Sequence, residues 1–386
     1  MSYLTEERLM IQKTARDFSM KEVLPVANEL DKVKGEIPMS LRDKMGELGY
    51  FGMRIPEKYG GLELGAFEYI LVTEELARGW MSVASIIARG NGLGGGYNEE
   101  QRQKYLPRMA RGEFLGAVAL SESEAGSDLA NIQCRATRDG DEWVLNGNKM
   151  WCTFADGADY ITVLCRTQDP DPNNRHAGTG MFFFEKERGT FPPGLQATPI
   201  NKIGYHGWRT WELHFDDFRV PGSALLGGGA REETQLKGTM SGLSTARVHT
   251  AARAIGLSRG GLEDSIAYAK QRVQFRQPIA NFQAIRFKIA QMAAEIEAAR
   301  QLMYHAADLD DRGERCDKEA SMAKWFATEM AERVTSEALQ IHGGYGYTTD
   351  LPIERYWRDA RLTKIFEGTS EIQLRIISDR LLGKAG

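Results

Sequence analysis

One glutamate, Glu367, stands in the stretch IFEGTSEIQ (365–373), between two segments with helical patterning. The stretch sets a carboxylate before a glycine and two hydroxyl residues and so interrupts two helix-like segments. Gly368 permits a tight bend, and the amides that open the next helix favour negative charge. Ser370 and Gln373 fit the S-x-x-Q spacing of a capping box, which predicts a helix beginning near Glu371. The expectation is a carboxylate and a set of amides pointing out of the helical packing together. The competing reading is a connecting loop with a solvated glutamate.

Other stretches offer chemistry of their own. In ALSESEAGSD (119–128), Ser121, Ser123 and Ser127 put hydroxyls among small residues, which suits a phosphate-bearing ligand. In NKMWCTFADGAD (148–159), Trp151 and Thr153 are two apart on a strand and share a side. An indole beside a hydroxyl could receive a flat heteroaromatic ring, although a core tryptophan reads the same way. RVQFRQPIANFQAI (272–285) sets Arg272 between two helices, where a guanidinium could meet a phosphate in bidentate fashion. GNGLGGG (90–96) holds a formal GxGxxG at Gly90, Gly92 and Gly95. A dinucleotide loop needs a strand before it, whereas ELARGWMSVASIIAR reads as helix, so a helix–helix turn is expected. Gly343 and Gly344 close the preceding helix.

The elements behind these stretches fall into three parts. Residues 1–115 read as helices, with Thr5 capping the first and Glu6 and Glu7 suiting its dipole. Residues 116–230 hold short aromatic and β-branched runs between turns, the pattern of an antiparallel barrel or sandwich. DPDPNN (169–174) is an exposed connection. From 231 to 386 apolar residues recur at helical spacing. One stripe is Val248, Ala252, Ile255, Leu262, Ile266, Ala269 and Val273. A second is Ile285, Ile289, Met292, Ile296, Ala299 and Met303, and a third is Ala323, Phe326, Met330, Val334, Ala338 and Ile341. The fold class is α+β multidomain: an N-terminal α-helical domain, a middle antiparallel β-barrel and a C-terminal four-helix bundle.

Bulk properties narrow the field. A net charge of −4 argues against a basic nucleic-acid binder. No apolar run approaches the roughly 20 residues of a membrane span. The N-terminus resembles neither a signal nor a transit peptide, so the cytoplasm is expected, or an organellar matrix after processing. Four cysteines without CxxC spacing and six histidines without HExxH give no metal site.

ALSESEAGSD, MWCT, RVQF, QIHGGYGYT and IFEGTSEIQ occur in the order and spacing of the acyl-CoA dehydrogenase family, and the chain resembles that family over essentially its whole length. Ser121-Glu122-Ser123 stands where the family usually has Thr-Glu-Pro. The resemblance implies FAD held between barrel and bundle and shared by two subunits of a homotetramer, a dimer of dimers. It implies an acyl-CoA substrate and an electron-transferring flavoprotein as electron acceptor. Glu367 matches the catalytic base, whose pKa would be raised by burial against the acyl chain. Leu120, Ser121, Ser127, Trp151 and Thr153 match flavin-side positions. Arg272, Phe275 and Gln283 match positions that hold a neighbouring subunit's FAD, Gln340, Gly343 and Gly344 the contact from a further segment, and Thr369 and Glu371 the contacts at the start of the last helix, where amides favour a pyrophosphate. Ser127, Ser244 and Arg247 match CoA or acyl contacts. Some relatives place the base just before the arginine, where this chain has Ala246.

Arg89 falls near the closed end of the expected acyl pocket. It either reads a polar or carboxylated tail, or faces outward or pairs with a local acid. His206, Trp208 and Trp211 in GYHGWRTWEL depart from the family's small residues, and either narrow the pocket or shape a subunit contact. Two other readings are an acyl-CoA oxidase or flavin hydroxylase on this fold, and a non-catalytic acyl-CoA or flavin-binding protein.

Overall fold

A computed structural model describes residues 3–91, 96–171, 174–175, 177–227 and 243–383. Gly92 and Gly95 of the glycine-rich stretch, Pro172 and Asn173 of DPDPNN, and the 230/231 boundary lie outside the described residues.

Seven helices come first: α1 (Glu6–Phe18), α2 (Leu24–Leu30), α3 (Met39–Glu47), α4 (Ala66–Gly79), α5 (Met81–Ile86), α6 (Ala88–Asn91) and α7 (Glu99–Ala110). Thr5 caps α1 as expected, its hydroxyl accepting the Arg8 N–H at 3.2 Å. α5 and α6 precede Gly92, so the glycine-rich stretch follows helix rather than strand. Every residue of α4 except Glu68 is buried, because the helix packs on α1 and on the long helix α8 (Leu243–Gln271).

Burying α4 takes charged groups with it, and they are matched. The Glu74 carboxylate, 0% exposed, pairs with Arg259 on α8 and with Arg300 on α9 (Gln283–Asp311), each at 3.0 Å. Glu75 pairs with Arg259 and Arg16, and Arg78 with Glu263 at 2.9 Å and Asp264 at 2.7 Å. Burial raises the Glu74 pKa, but the two guanidiniums overcome it and hold the carboxyl below its ordinary range.

The middle region is a sheet with parallel as well as antiparallel pairings, where an antiparallel barrel is expected. It comprises β1 (Gly116–Ala119), β2 (Arg135–Asp139), β3 (Glu142–Thr153), β4 (Tyr160–Arg166), β5 (Thr179–Glu185), β6 (Leu195–Pro199) and β7 (Thr210–Pro221), in the order β1-β4-β2-β3-β7-β6, with β5 on β4. β1 and β4 run parallel, Gly116 opposite Tyr160, because the chain leaves β1 through the serine loop and comes back in the same direction. The β3–β7 ladder is antiparallel, with irregular register between Leu145 and Gly147 and again between Lys149 and Cys152.

Beyond the sheet, α8 and α9 pack with α10 (Asp317–His342), and the shorter α11 (Ile353–Thr363) and α12 (Ser370–Leu382) lie against α10. The three apolar stripes face this packing, with one correction. Val273 is 53% exposed and lies in the β8 (Val273–Gln274)–β9 (Gln277–Pro278) hairpin, because α8 stops at Gln271. α10 ends at His342, with Gly343 at φ 56° as its cap, as its sequence predicts. Among the described residues no helix is long and apolar enough to cross a membrane, and the four cysteines are buried and unpaired.

Candidate functional site

The Glu367 loop is fixed before its carboxylate is considered. Leu362 O accepts the N–H groups of Ile365 and Phe366, and Lys364 O accepts that of Ser370 at 3.0 Å. Glu367 and Gly368 then take successive left-handed conformations, φ 54° and 88°. The second is easy for glycine; the first needs compensation. Lys324 Nζ on α10 and Gln373 Nε2 on α12 both donate to the Gly368 carbonyl, at 2.7 and 2.9 Å.

The cap differs from the capping-box expectation. Thr369, one residue earlier, is the N-cap and accepts the Ile372 N–H at 3.4 Å. Ser370 is already helical, its N–H spent on Lys364, and its hydroxyl donates to Glu329 at 2.7 Å. The Glu371 carboxylate folds back onto its own amide and the Thr369 hydroxyl, which holds it below the usual carboxylate range.

The Glu367 carboxylate turns onto α8 instead of out of the packing. Thr250 Oγ1 donates to Oε2 at 2.6 Å and Arg253 Nη2 to Oε1 at 2.7 Å. Thr250 and Arg253 are three apart, so one helix face presents both. Arg253 is 1% exposed and also donates to Ser85 Oγ at 2.9 Å and Thr250 Oγ1 at 2.8 Å. Its cation decides the ionisation of the pair. Burial raises the Glu367 pKa, yet the Arg253 cation and the Thr250 hydrogen bond hold it below the ordinary range, against the expected upward shift. His249 is neutral, driven down to about 3 by burial and by Arg253; it stacks on Tyr69 at 4.9 Å.

This arrangement sets a pH dependence. The ionised base is present above its depressed pKa and lost as pH falls through it, so the acid limb of substrate-driven flavin reduction lies below the ordinary carboxylate range. Arg253→Gln leaves burial dominant and moves that limb up in pH. Single-turnover reduction measured across pH checks it; a limb that stays in place would show that Arg253 does not control Glu367.

Aromatic rings connect this corner to the sheet. Arg253 lies over Phe366 at 4.6 Å, Phe366 meets Tyr205 edge-on at 5.8 Å, and Tyr205 meets Trp208 at 5.2 Å. Trp208 contacts Phe154, the residue after Thr153, at 6.0 Å, and Arg89 lies over Trp208 at 5.3 Å. Arg89 therefore turns toward this aromatic wall.

On β3, Trp151 is 57% exposed at φ 64°, Cys152 is buried, and Thr153 is partly exposed and bonded to Thr210 at 3.0 Å. The Met150 N–H donates to Ser121 O at 2.8 Å, which seats the serine loop beside Trp151. That loop is held by Glu122, whose buried carboxylate accepts from the Gln133 and Cys134 amides and from Lys149 Nζ, at 2.7, 2.9 and 2.7 Å. Lys149 Nζ also donates to Leu120 O at 2.9 Å. Ser127 is exposed further along the loop.

A third cluster lies at the far end of α8. Arg272, Phe275, Gly343 and Gly344 line one cavity of about 630 Å³, with the Arg272 guanidinium over Tyr345 at 5.7 Å and Phe275 88% exposed. Gln283 opens α9 and Gln340 sits in the last turn of α10, both exposed and neither lining that cavity. Nineteen residues separate Arg253 from Arg272, about 28 Å at helical rise. The chain thus keeps this cluster apart from Glu367. At the other end of α8, Arg247 is buried near Asp317, and Ser244 lies a turn away beside Cys316.

Solvent-facing rings of Trp151 and Phe275, with a nearby hydroxyl and a guanidinium, fit a flat ring system joined to phosphate groups. The sequence reading passed over Thr250, Arg253 and Lys324. A visible signal was the arginine inside the apolar run VHTAARAIGL, where a charge on the packed face needs a partner.

Known proteins resemble this chain along its length. Residues 5–113, 117–218 and 236–382 match the N-terminal, middle and C-terminal domains of acyl-CoA dehydrogenase. A Bacillus subtilis acyl-CoA dehydrogenase is 43% identical, over 99% of both chains. The (2S)-methylsuccinyl-CoA dehydrogenase of Cereibacter sphaeroides is 41% identical, over 99% of this chain and 70% of its own. The structure of butyryl-CoA dehydrogenase from Megasphaera elsdenii superposes with a TM-score of 0.90 at 36% identity, covering 98% of this chain and 99% of that one.

Proposed function

Because the chain belongs to the acyl-CoA dehydrogenase family of oxidoreductases, we propose that it converts an acyl-CoA thioester to the trans-2-enoyl-CoA, with Glu367 as the base and FAD as the cofactor. The observation that carries the reading is the held carboxylate: Glu367 is bonded to Thr250 and Arg253 while its loop is clamped through Gly368. FAD, when bound, supplies the acceptor for the C3 hydride.

The protein's own groups do the rest. Glu367 is ionised and positioned, so it can take the C2 proton without first losing one. Among the described residues no backbone carbonyl takes the Glu367 N–H, which leaves that amide for the thioester carbonyl as negative charge develops there. Ser244 and Arg247 are assigned to the CoA portion. Leu120, Ser121, Ser127, Trp151 and Thr153 are assigned to the flavin side, and Thr369 and Glu371 to its pyrophosphate. Arg272, Phe275, Gln283, Gln340, Gly343 and Gly344 are assigned to the FAD of a second subunit. The separation along α8 supports that division, since one chain does not bring both clusters together. A homotetramer and an electron-transferring flavoprotein as acceptor complete the reading.

Anaerobic titration of the yellow holoenzyme with a panel of acyl-CoA thioesters tests it. Bleaching by at least one of them is expected, followed by slow recolouring in air and fast recolouring with an electron-transferring flavoprotein. Rapid recolouring in air alone would assign an oxidase, and no bleaching by any thioester would remove the dehydrogenase reading.

A further inference from the structure

We infer that the acyl group taken by this site ends in a carboxylate, received by Arg89. The inference rests on the dehydrogenase reading, because it uses the Glu367 corner as the place where the acyl group lies.

Charge is the first argument. The Glu367 carboxylate is committed to Arg253, and the nearby ammoniums of Lys324 and Lys202 donate to backbone carbonyls, which leaves Arg89 to be accounted for. The nearby His249 is neutral and adds no charge. Arg54, which is also close to Tyr69, is matched by Asp310 at 3.6 Å. Among the described residues Arg89 forms no ion pair, and its Nε is buried without a hydrogen-bond partner. Arg89 is therefore a cation without an anionic partner among the described residues. A methyl-ended chain laid against it would strip water from a cation and return nothing. A carboxylate tail returns a charge-assisted, two-pronged contact.

Shape is the second. Trp208, Tyr205 and Phe366 form a continuous wall with Arg89 at one end and Arg253 at the other. Flat faces leave the guanidinium edges for hydrogen bonding.

The test pairs thioesters of equal carbon number: butyryl-CoA with succinyl-CoA, and valeryl-CoA with glutaryl-CoA. Two readouts are taken, anaerobic reduction of the wild-type holoenzyme and equilibrium binding to the Glu367→Gln holoenzyme. The better carboxylated member should bind and react about 10- to 100-fold better than its methyl-ended partner, the range of a hydrogen bond to a charged group. Arg89→Met should erase that ratio and Arg89→Lys should keep part of it. If Arg89→Met does not fold, the wild-type ratios and Arg89→Lys still decide. A preference for the methyl-ended partners in both pairs, or a ratio that Arg89→Met leaves unchanged, overturns the inference. Reduction by methyl-ended thioesters alone would do so while the dehydrogenase reading stood. Bleaching by none of a wider panel would remove that reading, and the binding ratios would then decide the tail separately.

Discussion

Glu367→Gln slows bleaching of the bound flavin by a good acyl-CoA about 10²- to 10⁴-fold, the range for losing a positioned general base. Glutamine keeps the shape and can still accept from Thr250 Oγ1, so the loop stays clamped at Gly368 by Lys324 and Gln373. What it loses is the ability to take a proton, and among the described residues no other carboxylate is bonded into this corner beside Thr250 and Arg253. Ala246, on the neighbouring turn of α8, has no ionisable group. The variant should remain yellow and bind thioesters, which separates lost chemistry from lost cofactor. Stopped-flow reduction at saturating thioester measures the effect; reduction at the native rate would falsify the assignment of the base.

Arg259→Met is expected to cost about 3–5 kcal/mol of stability, the scale for removing one partner of a buried ion pair. Arg259 is the cation shared by Glu74 and Glu75, both essentially unexposed, and it lies on a different helix from them. Without it, among the described residues, Glu74 keeps Arg300 alone, and Glu75 keeps Arg16 alone at 3.4 Å, itself 40% exposed. The sign with pH follows from Glu74, whose pKa is depressed in the folded chain. Its contribution is present above the ordinary carboxylate pKa and lost as pH falls through the folded one. The penalty of Arg259→Met is therefore greatest near neutral pH and shrinks in acid. Denaturant midpoints of the two proteins at neutral and acid pH check this, and a loss under about 1 kcal/mol at neutral pH would mean that the network relaxes around the gap.

Local patterning was enough for much of the architecture. Helical stripes placed α8, α9 and α10 because apolar spacing reports the packed face directly. Thr5 and Gly343 marked helix ends because caps are chemistry of one or two residues. Strand direction was harder to read. The parallel β1–β4 pair is made by residues more than 40 apart, and no alternation within either strand reports its neighbour's direction. Val273 failed for a related reason: a valine at the right spacing looks the same in the last turn of a helix and in the hairpin just beyond it.

The site divides along similar lines. Glu367 and its glycine were legible because a strained loop needs unusual residues in sequence order. Its partners were not, because Thr250, Arg253 and Lys324 come together only when α8 and α10 pack. The direction of the Glu367 shift was missed for the same cause. A pKa is set by whichever cation folding brings alongside, and Arg253 is 114 residues away in the chain.

The Gly368 carbonyl is gripped from two sides, by a lysine on α10 and a glutamine on α12. The gap between those two helices thus acts as a gauge for where the acid oxygen sits. A swap of packing residues along that seam, remote from any reacting atom, would register as a change in turnover before it registered as a change in melting.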